Sequence, residues 1–143
     1  AARLFKERGF NAVSMRDIAQ AMDIKAASLY NHISGKQEIL ATLLLEVAEE
    51  FTIKMNAISS EMLTPLKKIE RVIEVHIDTT VNYSEHIATL NNDWMHLEGS
   101  ALKSVIKMRG DYEENFRSII KQGILEGEIK PQHLYVKNTL SLE

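Results

Sequence analysis

Three observations in this sequence predict an all-α protein. Two prolines and six glycines among 143 residues supply few of the turns that a β fold needs. Apolar side chains recur at three- and four-residue spacing over long stretches, which gives each helix one stripe to bury. One shorter stretch, Ser14–Ile33, instead reads as two small helices around a tight turn. The expected architecture is a three-helix head over 1–45 and a helical body over 46–143, joined by a long fourth helix.

Ala1–Arg8 reads as the tail of the first helix, with Leu4 and Phe5 turned inward and Gly9 as its stop. Phe10 and Val13 pack the connection that follows. Ser14 is a suitable N-cap, and Asp17 three residues on forms a capping-box pattern. Ile18, Ala19 and Met22 recur at helical spacing, and small Ala21 permits a close crossing. Asp23-Ile24-Lys25 is too short for anything but a turn. From Ala26 a third helix restarts, with Leu29 and Ile33 as its anchors and Tyr30, Asn31 and His32 on other faces. Small Ala26, Ala27 and Ser28 at its start let the helix end press into a groove. Its amides and dipole favour phosphate there. This is the pattern of a helix-turn-helix, whose second helix enters the DNA major groove.

The surrounding residues make the pattern specific. Ala2, Leu4-Phe5, Gly9-Phe10, Ile18-Ala19, Leu29-Tyr30, His32-Ile33, Lys36, Glu38 and Leu40 resemble the DNA-binding domain of the tetracycline-repressor family of bacterial regulators. Departures are Met22-Asp23 and Ala27, where glycine is common, and Ile33, where phenylalanine is common. The resemblance implies a ligand-responsive regulator, most often a repressor, that acts as a homodimer on a near-palindromic operator. It also makes Tyr30, His32 and Lys36 contacts to DNA phosphates. Position on the motif adds Lys25, Ala26, Ala27 and Ser28 at the base edges, with Asn31 one turn on reaching bases or phosphate. Ser14 and Arg16 open the second helix, where it crosses the DNA backbone.

Ser34-Gly35 breaks the third helix, and the fourth begins at Lys36. Ile39, Leu40, Leu43, Leu44, Val47, Phe51 and Met55 form its stripe, to about Ser59, so it couples head to body mechanically. Thr64-Pro65 is a cap followed by proline at the first helical position. The expected buried face of the fifth helix is Leu66, Ile69, Ile73, Ile77, Thr80 and Val81. A short sixth helix is capped by Ser84 and ends at Leu90, and Asn91–Gly99 reads as a loop or irregular helix. Ser100–Glu126 forms a long seventh helix, in which Leu102, Val105, Ile106, Arg109, Tyr112, Phe116, Ile119, Ile120 and Ile124 keep the period. Pro131 opens an eighth that runs to the last residue. The resembled family dimerises through two C-terminal helices, so the chain is expected to lack the end of that bundle and, having no initial Met, some of its N-terminus.

Charge is uneven along the chain. The first forty residues carry six basic and four acidic side chains, the rest eleven basic and sixteen acidic. A basic head on an acidic body fits one end touching nucleic acid. No cysteine is present, which excludes disulfides and thiolate metal sites and suits a cytoplasmic location. No apolar run approaches the length of a membrane span.

The five histidines form no pair at metal-ligand spacing on a helix, so no metal and no cofactor are expected. No nucleophile triad, phosphate loop or paired-carboxylate pattern points to an enzyme. A small-molecule pocket is better supported, because Thr80, Tyr83, Met108 and Tyr112 lie on inner faces and their polar groups need partners. Met55 reaches this region from the fourth helix, His76 shares a face with Thr80, and Phe116 lies a turn beyond Tyr112. Trp94 stands at a mobile edge. The segment Lys121–Pro131 looks most like family members that sense acyl-CoA or fatty-acid derivatives. The alternatives are a helical protein-interaction module without DNA binding and a His-dependent metalloenzyme.

Overall fold

The structure, a computed structural model, describes residues 1–130. Among them are seven α-helices and no strand: α1 (Ala2–Arg8), α2 (Met15–Ala21), α3 (Ala26–Tyr30), α4 (Lys36–Ser60), α5 (Pro65–Asn82), α6 (Ser84–Asp93) and α7 (Gly99–Leu125), with a 3₁₀ turn over Trp94–His96. The eighth helix expected from Pro131, and the dimer face assigned to it, lie outside the described residues.

Local chemistry sets most of the boundaries. Gly9 ends α1 at φ 79°, a left-handed conformation that costs a residue without Cβ nothing. Ser14 and Asp17 form the full capping box: Ser14 Oγ accepts from the Asp17 amide at 3.0 Å, and Asp17 Oδ2 accepts from the Ser14 amide at 2.9 Å. Just before α4, whose N-cap Gly35 has no side chain, the Ser34 amide and hydroxyl both donate to Glu38 Oε2, each at 2.8 Å. Thr64 Oγ1 accepts from the Lys67 amide, with Pro65 in the first turn of α5.

Two clusters make up the core, and α4 runs through both. In the first, Phe5, Phe10, Val13, Ile18 and Leu29 of the head pack on Ile39, Leu40 and Leu44. Leu97 and Val105, from beyond α6, belong to the same cluster. In the second, Met55 and Ile58 pack on Ile69 and Val72 of α5 and Ile119 and Ile120 of α7. The head is therefore seated on α4 and on the α6–α7 corner at once.

The fifth helix turns differently from the expectation. Its buried residues are Pro65, Ile69, Val72 and Thr79, whereas Leu66, Ile73, Ile77, Thr80 and Val81 are exposed. Apolar residues occupy two adjoining faces of α5, and one residue of offset rotates the face by about 100°, so periodicity alone did not choose between them. Thr79 can be buried because its Oγ1 accepts from Lys54 Nζ at 3.1 Å.

Two smaller differences concern the chain beyond it. Helix α6 continues three residues past Leu90 to Asp93, and it begins directly after Tyr83, with Ser84 as its first residue rather than its cap. In α7, Ile106 is 51% exposed and lies off the buried stripe.

Candidate nucleic-acid interface and effector cleft

The head presents its predicted residues on one exposed side. Leu29 is the buried anchor of α3, while Lys25, Ala27, Ser28, Tyr30, Asn31 and His32 face solvent and Ala26 is half-buried. Arg16, Gln20, Asp23, Ile24, Lys25 and Ala26 line an open groove between α2 and α3, so the two cations converge on it. Tyr30 is 54% exposed, which rules out its being core packing.

Helix α3 has only five residues. So short a helix sums few peptide dipoles, while its first-turn amides carry no side-chain cap. Asn31 is the C-cap of α3 and His32 lies past its end, held by its amide to the Leu29 carbonyl at 3.1 Å. Both therefore point from a turn rather than from a helix.

Two residues expected at phosphates have internal duties. Ser14 Oγ already accepts the Asp17 amide within the capping box. Lys36 Nζ donates to the Phe10 carbonyl at 2.8 Å and sits 4.3 Å from the centroid of the Phe10 ring. The amide and hydroxyl of Ser14, with Arg8 beyond, hold the Asp17 carboxyl below its ordinary range. Hydrogen bonds from Ser34 do the same for Glu38.

In the body, a cleft of about 230 Å³ opens between α4 and α7, lined by Thr52, Met55, Asn56, Asp111, Tyr112, Glu114 and Asn115. Of the predicted pocket residues it holds Met55 and Tyr112. Behind them Phe51, His76 and Tyr112 form an aromatic group: Phe51 lies 5.1 Å from the His76 ring and 5.7 Å, edge-on, from Tyr112. His76 Nδ1 and Tyr112 Oη share a hydrogen bond at 3.3 Å. Burial lowers the His76 pKa and pushes that of Tyr112 up to about 12, so both are neutral at pH 7. Phe116 packs, half-buried, in the adjoining cluster.

The other predicted pocket residues lie elsewhere. Thr80 is exposed with the outer face of α5, and Met108 is half-buried outside the cleft lining. Tyr83 sits at the α5–α6 corner, edge-on to His86 at 5.5 Å. Trp94 packs on the head-side cluster and does not close the cleft. Sequence reasoning in turn missed Thr52, Asn56, Asp111, Glu114 and Asn115. Their signal is a row of amides, a hydroxyl and acids flanking the apolar stripes of two helices that meet. No group of three potential metal ligands converges among the described residues.

Comparison with known proteins bears on the family and the fold. Residues 1–43 match the bacterial regulatory proteins of the tetR family, and residues 62–142 match the tetracyclin repressor-like C-terminal domain. The HTH-type transcriptional repressor KstR2 of Mycobacterium tuberculosis is 25% identical over 132 residues, 92% of this chain. The chain spans 66% of that relative's length, just under two thirds. Among solved structures, the regulator PfmR of Thermus thermophilus is 27% identical with a TM-score of 0.82, over 90% of this chain and 70% of that one. AibR, solved with isovaleryl coenzyme A and operator DNA, shares the fold at a TM-score of 0.80 and 22% identity, over 91% of this chain and 71% of its own. By helix order, core and matched residues, the chain belongs to the tetR family of bacterial regulatory proteins.

Proposed function

We propose that this protein is a ligand-responsive transcriptional repressor, not an enzyme, which binds duplex DNA through its head and a small effector in its body. The observation that carries the reading is the exposed side of the head. Lys25, Ser28, Tyr30 and Asn31 stand free around the buried anchor Leu29, with Arg16 across the groove. Such a set offers one ammonium and one guanidinium to phosphate or guanine, and an amide to adenine.

Family membership and the repressor KstR2 support a homodimer on a near-palindromic operator in the cytoplasm. No described helix is long and apolar enough to cross a membrane. The cleft between α4 and α7 supports the effector reading, and its Met55 and Tyr112 floor suits a short apolar group. An acyl-CoA is the first candidate, since AibR was solved with isovaleryl coenzyme A. Phe51 and Met55 sit on the same α4 whose first turns seat the head, so a ligand there bears on the far end of that helix. It weakens DNA binding only as far as it prefers the displaced state.

Selection from a random duplex pool, followed by titration in rising salt, tests the DNA arm. Affinity is expected to fall steeply with salt; binding to no duplex at any salt sinks the reading and leaves a protein-interaction module. Thermal shift with short acyl-CoAs and free fatty acids tests the effector arm, because a ligand of the native state raises the melting point.

A further inference from the structure

Helix α6 lies against α1 along one polar stripe at four-residue spacing. Glu85 Oε1 meets Arg3 Nε at 3.4 Å, Thr89 Oγ1 is 3.5 Å from the Ala2 carbonyl, and Asp93 Oδ1 accepts from the Phe10 amide at 3.3 Å. The first pair is exposed and weak. The last is different: Asp93 is 4% exposed, its Oδ1 also lies 3.8 Å from His96 Nε2, and its Oδ2 has no hydrogen-bond partner among the described residues. Packing alone does not call for a half-satisfied buried carboxylate, which costs more than an apolar residue of like size. A charged acceptor does hold a backbone N–H more strongly than a neutral one.

What Asp93 holds is a residue engaged from several sides. The Phe10 carbonyl and ring engage Lys36 at the start of α4. The ring also stacks on His96 at 5.6 Å and 22°. Gln37 of α4 donates to the His96 carbonyl at 2.5 Å. The α1–α2 connection, the first turn of α4 and the end of α6 are therefore joined at Phe10.

We propose that Asp93 is a positioning residue that sets the angle of the head on the body. The head follows the end of α6 through the Phe10 amide, in addition to riding on α4. Its consequence for DNA rests on the function proposed above; the joint itself does not.

The absence of cysteine permits a clean test. Nitroxides at Gln20→Cys in the head and Lys103→Cys in the body, both exposed positions, report the angle as a distance distribution, with labelled protein diluted in unlabelled. A narrow distribution is expected in the parent and in Asp93→Asn, whose amide oxygen still accepts the Phe10 N–H. A broad one is expected in Asp93→Ala. An alanine variant as narrow as the parent overturns the proposal, and so does an asparagine variant as broad as alanine. If the alanine variant does not fold, Asp93→Ser, too short to reach the amide, replaces it. Hydrogen exchange of the Phe10 amide in the parent decides independently, because Asp93 is the partner the structure gives it: slow exchange supports the joint, and exchange at the unprotected rate overturns it. In the DNA arm, Asp93→Ala is expected to lose roughly tenfold in affinity for a random-sequence duplex, within the usual range of coupling. A parent that binds no DNA, with the broadening still seen in Asp93→Ala, sinks the functional reading and leaves the joint standing. A DNA-binding parent with no such broadening does the reverse.

Discussion

The His76 imidazole and the Tyr112 hydroxyl meet at 3.3 Å across the α5–α7 contact, with the Phe51 ring against both. This pair ties the floor of the cleft to two helices, and its ionisation bounds the pH range in which the body is most stable. The folded-state pKa of His76 lies below the ordinary 6.5. The unfolded chain therefore binds a proton first as pH falls through 6.5, and folding loses stability until the lowered value is passed. Tyr112 acts at the other end, since its pKa rises from 10.0 to about 12. The unfolded phenol ionises first above pH 10, and stability falls as pH climbs towards 12. Denaturant melts of the parent against His76→Gln and Tyr112→Phe check this: each variant is expected to flatten its own limb of the profile. A parent-like acid limb in His76→Gln refutes the assignment.

Lys25 and Lys36 are expected to separate binding from folding. Lys25→Ala removes an exposed cation and is expected to lower the slope of log affinity against log salt by about 1, with an unchanged melting point. Lys36→Ala removes the hydrogen bond to the Phe10 carbonyl and the cation over its ring, together about 1–2 kcal/mol. Its melting point is expected to fall even without DNA. Melting curves of the two side by side decide the matter.

Asp23 takes φ 55° in the turn between α2 and α3, the position where the resembled family favours glycine. A left-handed conformation costs an ordinary L-residue about 1–2 kcal/mol, and aspartate somewhat less. Asp23→Gly is expected to gain about 0.5 kcal/mol after the added chain entropy of glycine. Asp23→Val is expected to lose more than about 1 kcal/mol by the same reasoning. Equal melting points for all three sequences contradict the strain account.

Two glycines in α7 are expected to respond with opposite signs. A Cβ added at Gly110 meets nothing within 4 Å, so Gly110→Ala gains the helix propensity of alanine, about 1 kcal/mol. At buried Gly123 the same atom meets Ile129 Cγ1 at 2.8 Å and Pro65 Cβ at 3.2 Å. Displacing Ile129 from the second cluster costs about 1–3 kcal/mol of overpacking, which outweighs the propensity gain. Differential scanning calorimetry of the two variants gives the signs directly.

Met55 is 1% exposed yet borders the cleft. Met55→Trp is expected to fill that space, abolish effector-induced thermal shift and cost about 1–3 kcal/mol. Mimicry of the ligand predicts weaker DNA binding without effector; simple blockage predicts parent-like DNA binding that no effector relieves. An effector that still releases the variant from DNA places its site elsewhere.

The head was readable because its signals are local. The Ser14–Asp17 capping box, the Gly9 stop and the Leu29 anchor each depend on residues within one helical turn, where side-chain and backbone chemistry nearly suffices. The long helices were readable for the same reason, since a stripe at helical period needs no knowledge of its partner. Even Asp23, where glycine was expected, left the turn in place because aspartate tolerates the left-handed region.

Helix rotation and the partners of polar groups were decided by tertiary structure. Sequence period allowed α5 to bury either Ile73 and Ile77 or Val72 and Thr79; the structure packs Val72 into the second cluster and gives Thr79 the Lys54 ammonium as partner. Trp94 looked like the edge of a pocket until α6 ran on to Asp93 and turned the indole towards the head. Lys36 was expected at a DNA phosphate and Asp93 had no expected role, since nothing within a few residues of either reveals that Phe10 stands between them. By itself the sequence determined the long helices, the caps at Ser14 and Thr64 and the helix-turn-helix pattern. Only the packed chain decided which face of each helix meets which neighbour, because that choice optimises burial and polar satisfaction over the whole molecule at once, and no single segment carries that sum.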